Sequence, residues 1–179
     1  MNTPEDFFDK ARIIAKQLDW MAEKGYESHP ITGNEPTYED RMNNEPKLLA
    51  NRIITPDGTM LQSYHVHDYK TYIDANGKEY MVDGGLEYQR TNVHDDAPHT
   101  NASVYDTDPH EVIRDAFHWG TRGKDGRQPL VFKPISSLSN IHIHNIIMTQ
   151  THVPDHIGNA FVNEELYRRD NGITIEDTE

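Results

Sequence analysis

The sequence predicts an α+β fold with an N-terminal helix, an antiparallel β-meander, and a helical C-terminal part packed on the sheet. Three observations lead to this prediction. Apolar residues recur at spacings of three and four near both ends of the chain, as in amphipathic helices. Between these ends, β-branched and aromatic runs are separated by Asp-Gly and Asn-Gly turns. At 179 residues the chain has the length of one ordinary domain, so we expect residues 1–179 to form a single compact domain.

The first helix has a well-marked start. Thr3 is its predicted N-cap, Pro4 takes the first helical position, and acidic residues follow in the first turn, where the helix dipole favours negative charge. We expect this helix to end near Gly25. Residues 26–47 are rich in proline and polar residues without a clear period, which predicts a surface loop.

The middle of the chain predicts three strands separated by turn-forming residues at 56–58 and 74–77. The expected ranges are 49–55, 59–73, and 78–83 with a continuation to residue 90. Because each strand is joined to the next by a short turn, the three should form an antiparallel meander.

His65 and His67 lie two apart in the second predicted strand, so the strand period of two places both side chains on one face. A two-residue type I′ turn at residues 76–77 would pair His65 with Tyr88 on the returning strand. The two histidines, Tyr88 and Arg90 are therefore candidate ligand-binding residues.

Three interpretations of this histidine pair stay open. They are a hydrogen-bonded structural or ligand-contacting pair, which we favour, two ligands of a metal ion, and an acid–base pair. A catalytic metal site normally needs a third protein ligand and supporting hydrogen bonds around it. The candidates for a third ligand are Asp83, His94, Asp95, Asp96 and His99, and no spacing in the sequence selects one of them. We therefore predict neither a metal site nor another cofactor.

Residues 91–108 are acidic, rich in turn formers and long for a connection, which predicts a second surface loop. A helix is expected next. Its predicted N-cap is Asp108, Pro109 takes the first helical position, and Glu111 would close a capping box.

Residues 118–132, HWGTRGKDGRQPLVF, hold the most unusual pattern of the chain. Arg122, Lys124 and Arg127 form a basic spot on an acidic protein, and the glycines among them allow tight turns with exposed backbone N–H groups. Trp119 and these three cations are candidate ligand-binding residues for a phosphate or for a partner's carboxylate. We favour a plain exposed turn before the next strand over such a site, and the spacing is not that of a P-loop.

The last third of the chain predicts two helices. Residues 139–148 fit a helix with Ser139 as N-cap better than a strand, and only a strand would place His142 and His144 on one face. The final helix is expected to begin near Asp155 and to end at two arginines before an Asn-Gly pair. The C-terminal tail beyond it is expected to be frayed.

Composition narrows the class of function. Seventeen basic residues against thirty acidic ones give a formal charge of −13, which disfavours general binding to nucleic acids or anionic membranes. The absence of cysteine excludes disulfides and thiolate chemistry. No stretch approaches the roughly 18 apolar residues of a membrane span, and the N-terminus lacks a signal-peptide pattern. We therefore expect a soluble intracellular protein, and its oligomeric state stays open.

Three stretches within about residues 60–175 are distinctive together: HDY…NGKEYMVDGGLEYQR, WGTRGKDGRQPL and HIHNIIMTQTHVPDHIGNAFVNEELYRRDNGI. In this combination the chain resembles small uncharacterised accessory proteins encoded by tailed bacteriophages. The resemblance implies a setting rather than an activity. That setting is the cytoplasm of an infected host bacterium, where small acidic proteins often bind host factors or counter host defence.

We therefore expect a phage accessory protein that binds a host protein or a defence-related, small anionic ligand without catalysis. One version is an acidic nucleic-acid mimic that inhibits a host enzyme, although the acidic residues are scattered rather than regularly spaced. The alternative is a metal- or histidine-assisted hydrolase of a phosphorylated small molecule. In it, His65 and His67 would coordinate or transfer protons, Asp83 would orient or ligate, and the basic spot would hold the anion.

Overall fold

The computed structural model describes residues 45–177, so the predicted first helix and most of the predicted loop at 26–47 lie outside it. The described part is α+β, with antiparallel sheets followed by C-terminal helices. Its strands are β1 (Leu48–Ile54), β2 (Met60–Ser63), β3 (Lys70–Ile73), β4 (Glu79–Asp83), β5 (Arg90–Thr91), β6 (Thr100–Asn101), β7 (Val104–Tyr105), β8 (His118–Thr121) and β9 (Val131–Pro134). Its helices are α1 (His110–Ala116), a 3₁₀ turn (Ile135–Ser137), α2 (Asn140–Thr149) and α3 (Asp155–Asn171).

The first sheet is built around β1, which confirms the strand predicted at 49–55. β1 pairs antiparallel with β2 and with β6, and β7 also pairs with it. The segment 91–108, predicted as a loop, thus contributes two short strands to this sheet. The turn between β1 and β2 is set by Asp57, whose Oδ1 accepts hydrogen bonds from the Thr55 hydroxyl at 2.6 Å and the Thr59 N–H at 3.1 Å.

The second sheet has the order β3-β4-β5, and its register differs by one residue from the predicted register. Tyr72 faces Tyr80, whereas the predicted two-residue turn would place Ile73 there. The reason is Asp74, whose Oδ1 accepts from the N–H groups of Asn76 at 2.9 Å and Lys78 at 2.8 Å. These bonds stabilise a three-residue loop that ends with a glycine at φ 80°, a common hairpin geometry.

The single long strand predicted at 59–73 is wrong. It breaks after Ser63, because the Asp68 carboxylate accepts the Tyr64 N–H at 2.8 Å and the Asp68 N–H donates to the carbonyl of His65 at 2.9 Å. His67 adopts a left-handed backbone conformation with φ 64°. An Asp side chain that bonds nearby backbone competes with a strand ladder and favours a turn. We call residues 64–69 the histidine turn.

The predicted continuation of the third strand is also wrong. β4 ends at Asp83, and Gly84 and Gly85 adopt φ values of 113° and 55° that reverse the chain. β5 then returns along β4, so that Arg90 faces Asp83 instead of extending β4.

The predicted helices over the C-terminal part are confirmed. Ser139 caps α2 by accepting the His142 N–H at 3.2 Å, and because 139–148 is a helix, His142 and His144 do not share one face. α3 ends at Gly172, whose φ is 64°. The predicted capping role of Asp108 is wrong, since its carboxylate accepts the Tyr105 N–H at 2.8 Å and Pro109 holds the cap position without a side-chain bond.

The main core lies between the first sheet and the helices. It joins β1 and β7 to α1, to the 3₁₀ turn, and to α2 and α3. Its buried residues are Leu49, Ala50, Val104, Ile113, Ala116, Phe117, Ile135, Leu138, Ile143, Ile146, Ile157, Ala160 and Phe161. A smaller cluster of Ile53, Tyr80 and Val82 links the two sheets. Burial of these side chains provides most of the driving force for folding.

A buried charge network lies beside this core, and no motif considered in the sequence analysis points to it. The carboxylate of Glu164 is fully buried and accepts hydrogen bonds from the side chains of His110, Arg114 and Arg168 at distances between 2.6 and 2.9 Å. Arg168, also buried, donates onward to the carbonyls of Ile135 at 2.8 Å and Leu138 at 2.7 Å. The network therefore ties α1 and α3 to the 3₁₀ segment.

These bonds set the ionisation of the carboxylate. Burial alone would raise the pKa of Glu164, but the hydrogen bonds from His110, Arg114 and Arg168 lower the pKa from its ordinary 4.5 to about 2. Glu164 is therefore ionised at neutral pH.

We expect Arg168→Ala to lower the free energy of unfolding by about 3–5 kcal/mol, because it leaves a buried carboxylate and several carbonyls without their donor. Arg169→Ala is the matched control, since Arg169 is 43% exposed and its ion pair is with the neighbouring Asp170. Its cost should stay within about 0.5 kcal/mol. Urea denaturation followed by circular dichroism measures both. Equal costs would contradict a structural role of the network.

Glu164 should also make the free energy of unfolding depend on pH. Its folded pKa of about 2 lies below the ordinary 4.5, so the stabilisation is fully present above pH 4.5 and is lost as the pH falls towards 2. We therefore expect the stability difference between wild type and Glu164→Gln to shrink over this window in urea denaturation. Glu111→Gln, the same substitution at an exposed position, is the control for the chemical change itself. A constant difference for Glu164→Gln from pH 7 to pH 2.5 would refute the assignment.

Candidate functional site

His65 and His67 lie exposed in the histidine turn rather than on a strand face. The turn and the left-handed conformation of His67 mean that strand alternation does not align their side chains. His65 Nδ1 lies 2.9 Å from the carbonyl of Val66, which it can donate to, and His65 Nε2 lies 4.0 Å from a carboxylate oxygen of Asp68. Over residues 45–177, no group of three or more His, Asp or Glu side chains is arranged to hold a metal ion.

The side chains of Tyr88 and Arg90 bind the carboxylate of Asp83 rather than the histidines. Asp83 is 2% exposed, and its Oδ2 accepts from Arg90 at 2.8 Å and from the Tyr88 hydroxyl at 3.3 Å. Burial, together with the negative charge and hydrogen bond of Asp83, raises the pKa of Tyr88, which therefore stays protonated at neutral pH. Asp83 is thus occupied by a structural ion pair.

The glycine pair after β4 brings this ion pair next to the histidine turn. The N–H of Gly85 donates to the hydroxyl of Ser63 at 3.0 Å, just before the turn begins. A Cβ atom at Gly85 would overlap the backbone of His65, so the two segments touch through main chain alone. Only glycine permits this approach.

The second partner of the histidine turn is the β8–β9 hairpin. β8 and β9 pair antiparallel, with Gly120 facing Phe132. The Phe132 ring stacks on Tyr64 at 5.1 Å and on His65 at 5.7 Å between ring centroids. Tyr64 also contacts the His118 ring at 5.0 Å. These four rings, which we call the aromatic seam, join the hairpin to the turn.

His118 is held in one protonation state within the seam. Burial lowers the pKa of His118, against the opposing effect of its contact with the carbonyl of Ala116, 2.8 Å from Nδ1. The 2.8 Å separation fits a neutral imidazole that donates from Nδ1 to this carbonyl, which also accepts from the Gln62 side-chain amide at 2.9 Å. His118 therefore provides a neutral, fixed surface at neutral pH.

Trp119 is an anchor of the hairpin and not a solvent-facing ligand contact. Its ring meets the buried Phe161 edge-on at 5.0 Å and packs against the main core. Trp119 was a predicted ligand contact because it lies next to the basic segment in the sequence. Alternation along β8 instead turns its side chain inwards.

The basic part of the hairpin is its exposed loop. Arg122, Lys124 and Arg127 are all exposed, and Leu130 and Val131 at the start of β9 are 45% and 49% exposed. The loop thus presents cations beside apolar side chains.

The backbone of this loop is not organised as a phosphate cradle. The N–H of Gly126 donates to the carbonyl of Gly123 at 3.1 Å, and the N–H of Gln128 donates to the carbonyl of Arg122 at 2.9 Å. The N–H of Gly123 lies 3.3 Å from the Thr121 hydroxyl. These three donors are therefore used within the loop.

The structure therefore places the eight candidate residues in four groups. His65 lies in the aromatic seam, and His67 lies exposed in the same turn. Tyr88 and Arg90 surround Asp83, and Trp119 enters the core. The exposed loop carries Arg122, Lys124 and Arg127. We use the name hairpin surface for these three cations together with Leu130 and Val131. Tyr64, His118 and Phe132 were not among the predicted residues. Their contacts depend on the break in the strand that was predicted at 59–73.

Comparisons with known proteins returned no relative. No protein-family model matches this chain, and neither the curated proteins nor the solved structures contain a significant match. Within residues 45–177, no helix combines the length and apolar character that crossing a bilayer requires.

We expect Gly85→Ala to destabilise the protein by about 3 kcal/mol, because the new methyl group overlaps the His65 backbone and the φ of 55° is strained for alanine. Gly77→Ala is the matched control, since its φ is 80° but nothing lies within 4 Å of the added Cβ. Gly77→Ala should lower the free energy of unfolding only through its strained backbone conformation, by about 1 kcal/mol. Thermal unfolding of the two variants measures the difference, and similar midpoints would rule out the close contact.

Proposed function

We propose that this protein is a non-catalytic binding protein that contacts an acidic site on a host protein through the hairpin surface. The observation that carries this proposal is the combination of exposed cations and exposed apolar side chains on one hairpin of a strongly acidic chain. The resemblance noted in the sequence supports the setting. In that setting, a phage accessory protein acts in the cytoplasm of an infected bacterium, including by counter-defence.

Charge supports the choice of partner. With a net charge of −13, most of the protein repels an acidic partner, whereas Arg122, Lys124 and Arg127 attract it. Such a distribution orients the approaching partner towards the basic loop, where the three cations locally offset the repulsion from the rest of the protein. It also argues against nucleic acid as the ligand, because three cations do not offset the acidic remainder.

Apolar contact supports the affinity. Leu130 and Val131 expose nearly half of their surface, and removing such area from water favours binding. The aromatic seam and Trp119 hold the hairpin from both faces, so little ordering is needed on binding. A pre-organised contact surface loses less entropy than a mobile loop.

The hydrolase alternative gains no support from the described residues. His65 and His67 are separated by the turn geometry, and Asp83 is engaged with Arg90.

The proposal predicts that single charge reversals on the hairpin weaken partner capture. Tagged wild-type protein would be incubated with bacterial lysate, and retained proteins would be identified by mass spectrometry. For a specific partner, Arg122→Glu or Arg127→Glu should each reduce retention about tenfold, because a basic contact becomes repulsive. Leu130→Ser should reduce it too, and retention by wild type should fall with added salt.

Arg169→Glu is the control, since it makes the same change in net charge at an exposed position on α3. Its retention should equal that of wild type. A partner retained equally by all four variants would contradict the proposed surface, as would the absence of any retained protein.

A further inference from the structure

A cavity of about 350 Å³ lies between the β8–β9 hairpin and the start of α2. Thr121 and Lys133 line it from the hairpin, and Leu138 and His142 line it from the 3₁₀ segment and α2. Its remaining wall is the chain's own C-terminal segment, residues 174–177. The cavity is thus a groove partly covered by a short piece of tail.

The covering segment belongs to no helix or strand and is held mainly through its backbone. Ile175 accepts the Asn140 N–H at 3.0 Å and donates its own N–H to Asn140 Oδ1 at 3.1 Å. This pair of bonds does not depend on which side chain the segment carries, as in recognition of an extended peptide by a strand edge. The tail expected to be frayed is therefore bonded at Ile175.

The segment is also acidic, and it reaches the basic loop. Asp177 Oδ2 lies 3.7 Å from Lys124 Nζ, one of the three cations of the hairpin surface. Thr174 and Ile175 precede Glu176 and Asp177, so an apolar residue sits in the groove and carboxylates follow it. The tail therefore has the chemistry that the hairpin surface would select in a partner.

These contacts hold the tail weakly. The Lys124 and Asp177 side chains are 71% and 36% exposed, and ion pairs with such exposure contribute little. The two backbone bonds to Asn140 replace bonds that both groups would otherwise make to water, so their net value is small. A competing segment could displace this tail at modest cost.

We propose that this groove binds an extended acidic segment of the partner protein, and that residues 174–177 occupy the groove in its absence. This inference rests on the proposed function, because it specifies which part of the host protein the hairpin surface contacts. The groove would take a main-chain N–H and C=O at Asn140, an apolar side chain beside Leu138, and a carboxylate at Lys124. The tail is then a built-in competitor that weakens binding of poorly matched segments.

The direct test uses the tail itself as the probe. A fluorescein-labelled peptide GITIEDTE would be titrated with a chain lacking residues 174–179, and fluorescence anisotropy would report binding. We expect a dissociation constant on the order of 10–100 μM, consistent with a few weak contacts. The full-length chain should bind at least tenfold more weakly, because its attached tail has a high effective concentration.

Two controls separate specific from general attraction. The uncharged peptide GITIQNTQ should bind the truncated chain at least fivefold more weakly than GITIEDTE. Lys124→Glu in the truncated chain should weaken binding of GITIEDTE by a similar factor. No binding to the folded truncated chain, or equal binding of the two peptides, would overturn the proposal.

A second variant covers the case in which truncation unfolds the protein, which circular dichroism would reveal. Ile175→Pro in the full-length chain removes the N–H that Asn140 Oδ1 accepts but deletes nothing. It should bind the labelled peptide more tightly than wild type does. If Ile175→Pro binds the peptide no more tightly than wild type does, that result by itself would count against the groove as the peptide's binding site.

Lysate capture then separates this inference from the proposed function. Truncation should increase partner retention severalfold. Peptide binding without increased retention would overturn the groove as a partner site and leave the hairpin surface standing. Peptide binding together with retention that is insensitive to Arg127→Glu would overturn the proposed function, and with it the partner's use of the groove.

Discussion

The buried contact between Glu164 and Arg168 holds together the part of the structure on which the exposed hairpin depends. Through Glu164 it binds α1, which leads directly into β8. Through Arg168 it binds the carbonyls of the 3₁₀ segment that follows β9. Both ends of the hairpin are therefore attached to one charge network. A buried ion pair is not in general more stabilising than an apolar contact, but its directional bonds can specify one arrangement.

The aromatic seam adds a second constraint at the opposite side of the hairpin. Phe132 stacks on residues of the histidine turn, and that turn is itself held by main-chain contact with Gly85. The two sheets therefore meet the hairpin through one turn whose shape is set by Asp68. In the proposed function, this support on both sides of the hairpin reduces the ordering that its exposed loop would need on binding.

Sequence predicted the elements whose signals are local and missed those that depend on distant partners. α2 and α3 were predictable because Ser139 and Gly172 mark their ends within a few residues of the apolar stripe. The prediction of one strand at 59–73 failed because the Asp68 side chain competes for backbone hydrogen bonds. The spacing of apolar residues does not reveal this competition. Glu164 and Arg168 are four apart on one helix, a spacing typical of an ordinary surface pair. Their burial follows from Arg114, 50 positions away in the chain, and from the 3₁₀ carbonyls.

The same network bears on how the tail groove exchanges its occupant. Asn140 Oδ1 accepts from Arg168 at 2.9 Å as well as from the Ile175 N–H. The amide group of Asn140 therefore stays oriented by a buried arginine whether or not the tail is present. Releasing the tail removes one of two donors at this oxygen and exposes one backbone N–H, both at the surface, where water can replace them. The proposed exchange of occupants therefore needs no reorientation of the Asn140 side chain, since Arg168 continues to donate to it.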